Sequence, residues 1–172
     1  SYPLRGYISA GMDDVIGYSK NNAWNLYRAC FFSWNRPLTE LSKIIQISKE
    51  LSSLRNLIKG LPKDYGNYIE KNNYIGYTSL SNYPNDGGFL REHKDGQRSD
   101  ILHFKVELTH KGKDYRKGGF YLYEKTKNHK IDLSRILKPG DVAFFDGSQT
   151  HGIDPIYGGK GRIGFFEIPT KV

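Results

Sequence analysis

After residue 70 the chain changes its period, and no other feature limits the folds open to it as much. "YIGYTSLSNY", "GFLREHKD", "DILHFKVELTH", "GGFYLYEK", "DVAFFDGS" and "RIGFFEIP" are short and rich in aromatic and β-branched residues. Gly, Asn, Asp and Pro turns separate them, which is how a run of strands reads. Ahead of them, "PLTELSKIIQISKELSSLRNLIKG" carries Leu38, Leu41, Ile44, Ile45, Leu51, Leu54, Leu57, Ile58 and Leu61 at helical spacing. Pro37 suits the first turn of a helix, and Gly60 followed by Pro62 suits its end. The spacing predicts one long amphipathic helix, or two short ones, with this stripe packed on something flat. A helical front followed by six or more strands predicts a mostly β single domain over 1–172. Residues 1–70 would be mainly a helical buttress and 71–172 a β-sandwich or jelly roll. Residues 1–36 are aromatic and mixed, with no period to read.

A length of 172 residues suits one domain with a real core. The net charge of +8 favours an anionic partner, although a basic soluble surface would give the same value. Cys30 is the only cysteine, so no intrachain disulfide forms and a Cys-rich zinc site is excluded. A reducing, intracellular setting is the expectation. No apolar run approaches the length of a membrane span, and no signal peptide is evident.

One predicted strand is unusually informative. In "ILHFKVELT", Leu102, Phe104, Val106 and Leu108 share one face by the period of two, and His103, Lys105 and Glu107 share the other. The apolar face should meet the helix. The polar face is either solvent at a sheet edge or the interior of a jelly roll that holds a polar site.

The sequence has five histidines, and His93 stands two residues before Asp95, just after the Gly87–Gly88 pair. On an extended segment, residues i and i+2 project to one side, so an imidazole nitrogen and a carboxylate oxygen could reach one ion. "FDGSQTHGIDP" offers a third ligand in His151. Two histidines and one carboxylate make the facial triad of non-haem iron oxygenases. His110 and His129 read as surface residues. Arg162 follows His151 by eleven residues and opens the last apolar strand. Its planar guanidinium suits bidentate binding of a carboxylate, and burying it would require a partner.

In that order, "NYPNDGGFLREHKD", "GGFYLYEK", "LKPGDVAFFDGSQTHGIDPI" and "GRIGFFEIP" resemble the core of the Fe(II)- and 2-oxoglutarate-dependent dioxygenases, over about residues 77–170. The resemblance is closest to the prolyl 4-hydroxylase-like branch, in which a Tyr ten residues before the first metal His contacts the co-substrate. Tyr83 stands at that position. The family pattern maps onto His93, Asp95, His151 and Arg162. Gly164 and Ile168 depart from the penicillin-forming and alkylation-repair branches. Asp95, where halogenases have Gly or Ala, favours hydroxylation.

The resemblance implies a double-stranded β-helix. It implies Fe(II) held by His93, Asp95 and His151, and 2-oxoglutarate held at its far carboxylate by Arg162 and Tyr83, with Lys105 as a rival anchor. O2 would be the other co-substrate, succinate a product, and hydroxylation of an unactivated C–H bond the outcome. No side-chain acid or base is needed. Arg91, His103, Lys105 and Glu107 become candidates for substrate contact. The substrate, small molecule or peptidyl and anionic or not, stays open. A nucleic-acid-directed oxygenase or binding protein, suggested by the charge, and a non-catalytic jelly-roll binding module stay open beside this reading.

Overall fold

The computed structural model describes residues 24–32, 42–67, 74–95, 101–126 and 129–171. Ten strands and one long helix are seen among them. They are β1 Trp24–Asn25, β2 Tyr27–Phe32, α1 Ser42–Ile58, β3 Tyr74–Tyr83, β4 Asp86–His93, β5 Leu102–Glu107, β6 Lys117–Tyr123, β7 Lys130–Asp132, β8 Val142–Asp146, β9 His151–Tyr157 and β10 Arg162–Lys171. The strands form two five-stranded antiparallel sheets, in the orders β1-β4-β9-β6-β7 and β2-β3-β10-β5-β8. This is the jelly roll that the strand pattern predicts.

The six predicted strand segments all appear. Four further ones, β1, β2, β7 and β9, were not legible. Residues 24–32, inside the stretch expected to be mainly helical, are extended: β1 joins one sheet and β2 the other, with Leu26 buried between them. β9 reads "HGIDPIY", a composition that resembles a turn, yet it lies centrally between β4 and β6. Pro155 is tolerated there because the pairing is bulged. The register between β6 and β9 shifts at Lys117/Gly119, and the missing ladder donor falls at that irregularity. Gly118, at φ +83°, sits so close to the Pro155 carbonyl that any Cβ would collide with it.

Leu26, Tyr83, Tyr115, Phe120, Phe145, Ile153 and Ile156 fill the space between the sheets. A second cluster, Phe104, Val106 and Phe165, lies on the outer face of the β10–β5 sheet under Ile44 and Leu51 of α1. β5 is central rather than an edge, since β10 flanks it on one side and β8 on the other. Its alternation therefore divides helix-facing Phe104 and Val106 from interior His103, Lys105 and Glu107, all of them buried.

The helix is present, but only part of the expected apolar stripe lies on its packed face: Ile45 is buried and Ile44 and Leu51 pack on the sheet. Leu54, Leu57 and Ile58 are exposed, Leu57 to 75%. Ser48, Ser52, Arg55 and Asn56 share the buried side with Ile45. The reason is Glu167 on β10, which is itself buried. Ser48 Oγ donates to Glu167 Oε2 at 3.1 Å, and Ser52 Oγ and Arg55 Nη1 donate to the same carboxylate. An unpaired buried carboxylate costs more than a few exposed leucines, so α1 turns its polar side to Glu167. Among the described residues no helix is long and apolar enough to cross a membrane.

Candidate metal centre and the buried cation cluster

The three predicted ligands converge. His93 ends β4, His151 opens β9, and the two pair across the ladder. Asp95 follows β4 by two residues, and its backbone N–H donates to the Gly147 carbonyl at 2.8 Å. One ligand atom from each of His93, Asp95 and His151 lies within 4.8 Å of the others, as a single metal ion would require. His93 Nε2 is 3.2 Å from Asp95 Oδ1, and His151 Nε2 is 3.2 Å from Asp95 Oδ2.

Each imidazole is held by its other nitrogen. His93 Nδ1 lies 2.7 Å from the Arg91 carbonyl, and His151 Nδ1 lies 2.8 Å from the Gln149 carbonyl. A carbonyl can only accept, so both rings carry a proton on Nδ1 and turn Nε2 to Asp95; Nε2 donates to the carboxylate when protonated and would offer its lone pair to an ion when that proton leaves. Burial opposes ionisation of Asp95, but hydrogen bonds from three histidines outweigh it and hold the carboxyl well below the usual carboxylate range. Burial would lower His93, yet the hydrogen bond and charge of Asp95 leave it raised. An ionised carboxylate flanked by two imidazole Nε2 atoms fits a divalent first-row metal.

The third of those histidines is His103, whose Nδ1 lies 3.2 Å from Asp95 Oδ2. The sequence makes it a candidate for substrate contact, and its ring stands beside the Asp95 carboxylate. Phe145 packs edge-on against both the His103 and His151 rings. Gly147 leaves the space His103 occupies, since a Cβ there would fall 2.5 Å from its Nε2. The turn from Asp146 to Gln149 thus aligns His151, seats Asp95 and makes room for His103.

Deeper in the barrel lies a cluster of buried charges. Arg162 is fully buried, and its Nη2 donates to Glu107 Oε2 at 2.5 Å. Thr109 Oγ1 donates to the other Glu107 oxygen at 3.2 Å. The Tyr83 ring centre lies 5.5 Å from the Arg162 guanidinium carbon. Lys105 is buried beside them, with its ammonium 4.0 Å from the centre of the Phe120 ring. Burial first, then the Arg162 charge, pushes Lys105 well below the usual lysine range, against the pull of Glu107. Gly164 gives both cations room: a Cβ there would stand 3.2 Å from Arg162 Nη1 and from Lys105 Cε.

Three polar atoms of this cluster are buried without a hydrogen-bond partner among the described residues: Arg162 Nε, Arg162 Nη1 and the Tyr115 hydroxyl. Buried donors are rarely left so, and here they mark a place for an acceptor. With Glu107 taking one edge of the guanidinium, its remaining donors suit a carboxylate.

Arg91 is exposed on β4, and its carbonyl lies 2.7 Å from His93 Nδ1. His129 is exposed as expected, whereas His110 is half-buried and its Nδ1 is enclosed without a partner among the described residues. Sequence reasoning missed Arg28 on β2, which is half-buried and donates from Nε to Ser81 Oγ at 3.1 Å.

No family model matches the sequence, and no curated protein sequence matches it. Solved structures do match by shape. A Pseudomonas putida prolyl-4-hydroxylase aligns with TM-score 0.56 at 16% identity, over 99% of this chain and 89% of its own. EctD from S. alaskensis aligns with TM-score 0.53 at 15% identity, over 84% of this chain and 56% of its own. A prolyl hydroxylase from Trichoplax adhaerens aligns with TM-score 0.51 at 16% identity, over 94% of this chain and 76% of its own. By strand order and by these likenesses, the chain has the jelly-roll fold of the 2-oxoglutarate oxygenase structures.

Proposed function

We propose that the protein is an Fe(II)- and 2-oxoglutarate-dependent oxygenase that hydroxylates an unactivated C–H bond. The observation that carries this reading is the convergence of His93, Asp95 and His151 in one jelly roll with a buried arginine, Arg162, that still has free donors. His93 and His151 would hold Fe(II) through Nε2 and Asp95 through its carboxylate. Arg162 and Tyr83 would hold the far carboxylate of 2-oxoglutarate, with Lys105 beside them. The similar structures agree with such ligands: EctD is seen with 2-oxoglutarate and 5-hydroxyectoine, and the Trichoplax enzyme with a peptide fragment.

Bound iron would supply the redox chemistry, in which one oxygen atom of O2 enters succinate and the other the new hydroxyl, with CO2 released. The chain's own residues bind and orient. The Gln149 and Arg91 carbonyls fix the imidazole tautomers, and His103 fixes the Asp95 carboxylate. Phe145 and Phe120 line the interior between the metal ligands and the cations and keep it poor in water.

The test is succinate release. Purified protein given Fe(II), 2-oxoglutarate and O2 should form succinate, slowly without a primary substrate, and should stop when iron is chelated. Metal and 2-oxoglutarate binding without any succinate would make the chain a non-catalytic binding module. No 2-oxoglutarate binding to the metal-loaded protein would end the oxygenase reading.

A further inference from the structure

The barrel interior holds one more cation than the proposed chemistry uses. Across the sheet, Arg28 on β2 pairs with Ser81 on β3, Ser81 with Gly164 on β10, and Gly164 with Glu107 on β5. Residues directly opposite in a sheet point to one face. Glu107 and Ser81 are buried in the interior, so Arg28 points there too. Its Nε is fixed by Ser81 Oγ at 3.1 Å, and its guanidinium lies over the Phe166 ring at 5.0 Å. These contacts occupy one donor and one face, and leave the two terminal nitrogens without an ion-pair partner among the described residues.

Among the described residues, the interior carboxylates are already engaged. Glu107 pairs with Arg162, and Asp95 faces three histidines. Resting on the oxygenase reading, Arg162 is assigned to 2-oxoglutarate, and Arg28 is the interior guanidinium left without a role. A half-buried guanidinium, oriented by a hydroxyl and a ring but not neutralised by any described residue, suits an anion that arrives from outside. A guanidinium edge with two N–H groups matches one carboxylate.

We propose that Arg28 is a specificity-determining residue that binds a carboxylate of the primary substrate and so holds its C–H bond toward the metal site. The interior row from β2 supplies the substrate's anchor, and the row from β5 and β10 supplies the co-substrate's. Substrates of this enzyme would then be small acids or chain ends, and their uncharged amides would be poor ligands.

The experiment uses protein loaded with Zn(II), which does no redox chemistry, and with 2-oxoglutarate. A panel of free amino acids and small hydroxy acids, each paired with its primary amide, is tested for binding by ligand-detected NMR. Some acids should bind and their amides should not. Arg28→Gln should weaken the acids about tenfold or more, and Arg28→Lys should keep part of the affinity. Affinity for 2-oxoglutarate should stay unchanged in both variants, which also shows that they fold. If Arg28→Gln does not fold, the acid-against-amide comparison on the unaltered protein still decides. Equal binding of acid and amide, unaltered acid binding in Arg28→Gln, or no acid bound at millimolar concentration would each overturn the proposal. A matching loss of 2-oxoglutarate affinity would overturn it too, by moving Arg28 into the co-substrate pocket. Failure of 2-oxoglutarate to bind the unaltered Zn(II) protein would instead remove the oxygenase reading underneath.

Discussion

Arg162 Nη2 and Glu107 Oε2 lie 2.5 Å apart, with both side chains essentially sealed from solvent. The pair joins the first residue of β10 to the last of β5. It presets the guanidinium, so that Nη2 is spent on the protein while Nε and Nη1 have no partner among the described residues.

Removing one member alone should be costly. Arg162→Ala leaves a buried carboxylate unpaired, at about 3–5 kcal/mol of stability. The double variant Arg162→Met with Glu107→Gln should recover most of that loss. Urea unfolding of the metal-free protein measures both. In folded Arg162→Ala, 2-oxoglutarate binding should weaken by about 2–5 kcal/mol, with iron affinity changed much less. Unaltered 2-oxoglutarate affinity there, with Lys105→Ala abolishing it, would make Lys105 the anchor.

His103 should matter to the metal more than to the substrate. His103→Phe keeps the ring volume against Phe145 but removes the hydrogen bond to Asp95. Loss of such an outer partner typically costs about 10–100-fold in metal affinity. Metal titration followed by calorimetry reads it. Unchanged metal affinity with impaired substrate turnover would restore His103 as a substrate contact.

Lys105 sets a pH dependence. Burial, then the Arg162 charge, lowers its folded value well below 10.5, so over the interval between the two values the unfolded chain binds more protons. Stability from this group therefore rises with pH across that interval, and below it the buried ammonium is a penalty. Lys105→Met should stabilise the metal-free protein at neutral pH, and the gain should shrink as pH approaches 10.5. Urea midpoints of both proteins over a pH series test this. A Lys105→Met protein that is less stable at neutral pH would contradict it.

The alternation in β5 was legible because a period of two needs only local sequence, and it put His103, Lys105 and Glu107 on one face, but only the sheet order shows that this face is the interior. Their partners were not legible. Asp95 meets His103, and Arg162 meets Glu107 across 55 residues, through strand neighbours that no local pattern encodes. The helix shows the same limit. Leu54, Leu57 and Ile58 are periodic, but Glu167, 112 residues beyond Arg55, decides which side is buried. Arg28 lay in a stretch without period, and only the register of β2 against β3 reveals its direction. The candidate metal group was legible because its spacing is itself chemical: His93 and Asp95 are two apart on extended backbone.

The most direct test of the account is a metal titration of the unaltered protein beside Asp95→Ala and His151→Ala, under anaerobic conditions with Fe(II), followed by 2-oxoglutarate. The account predicts one iron per chain in the unaltered protein, 2-oxoglutarate binding that requires the metal, and loss of both in each variant while the fold persists. Iron bound equally well without Asp95 or His151, or 2-oxoglutarate bound equally well without iron, would contradict it.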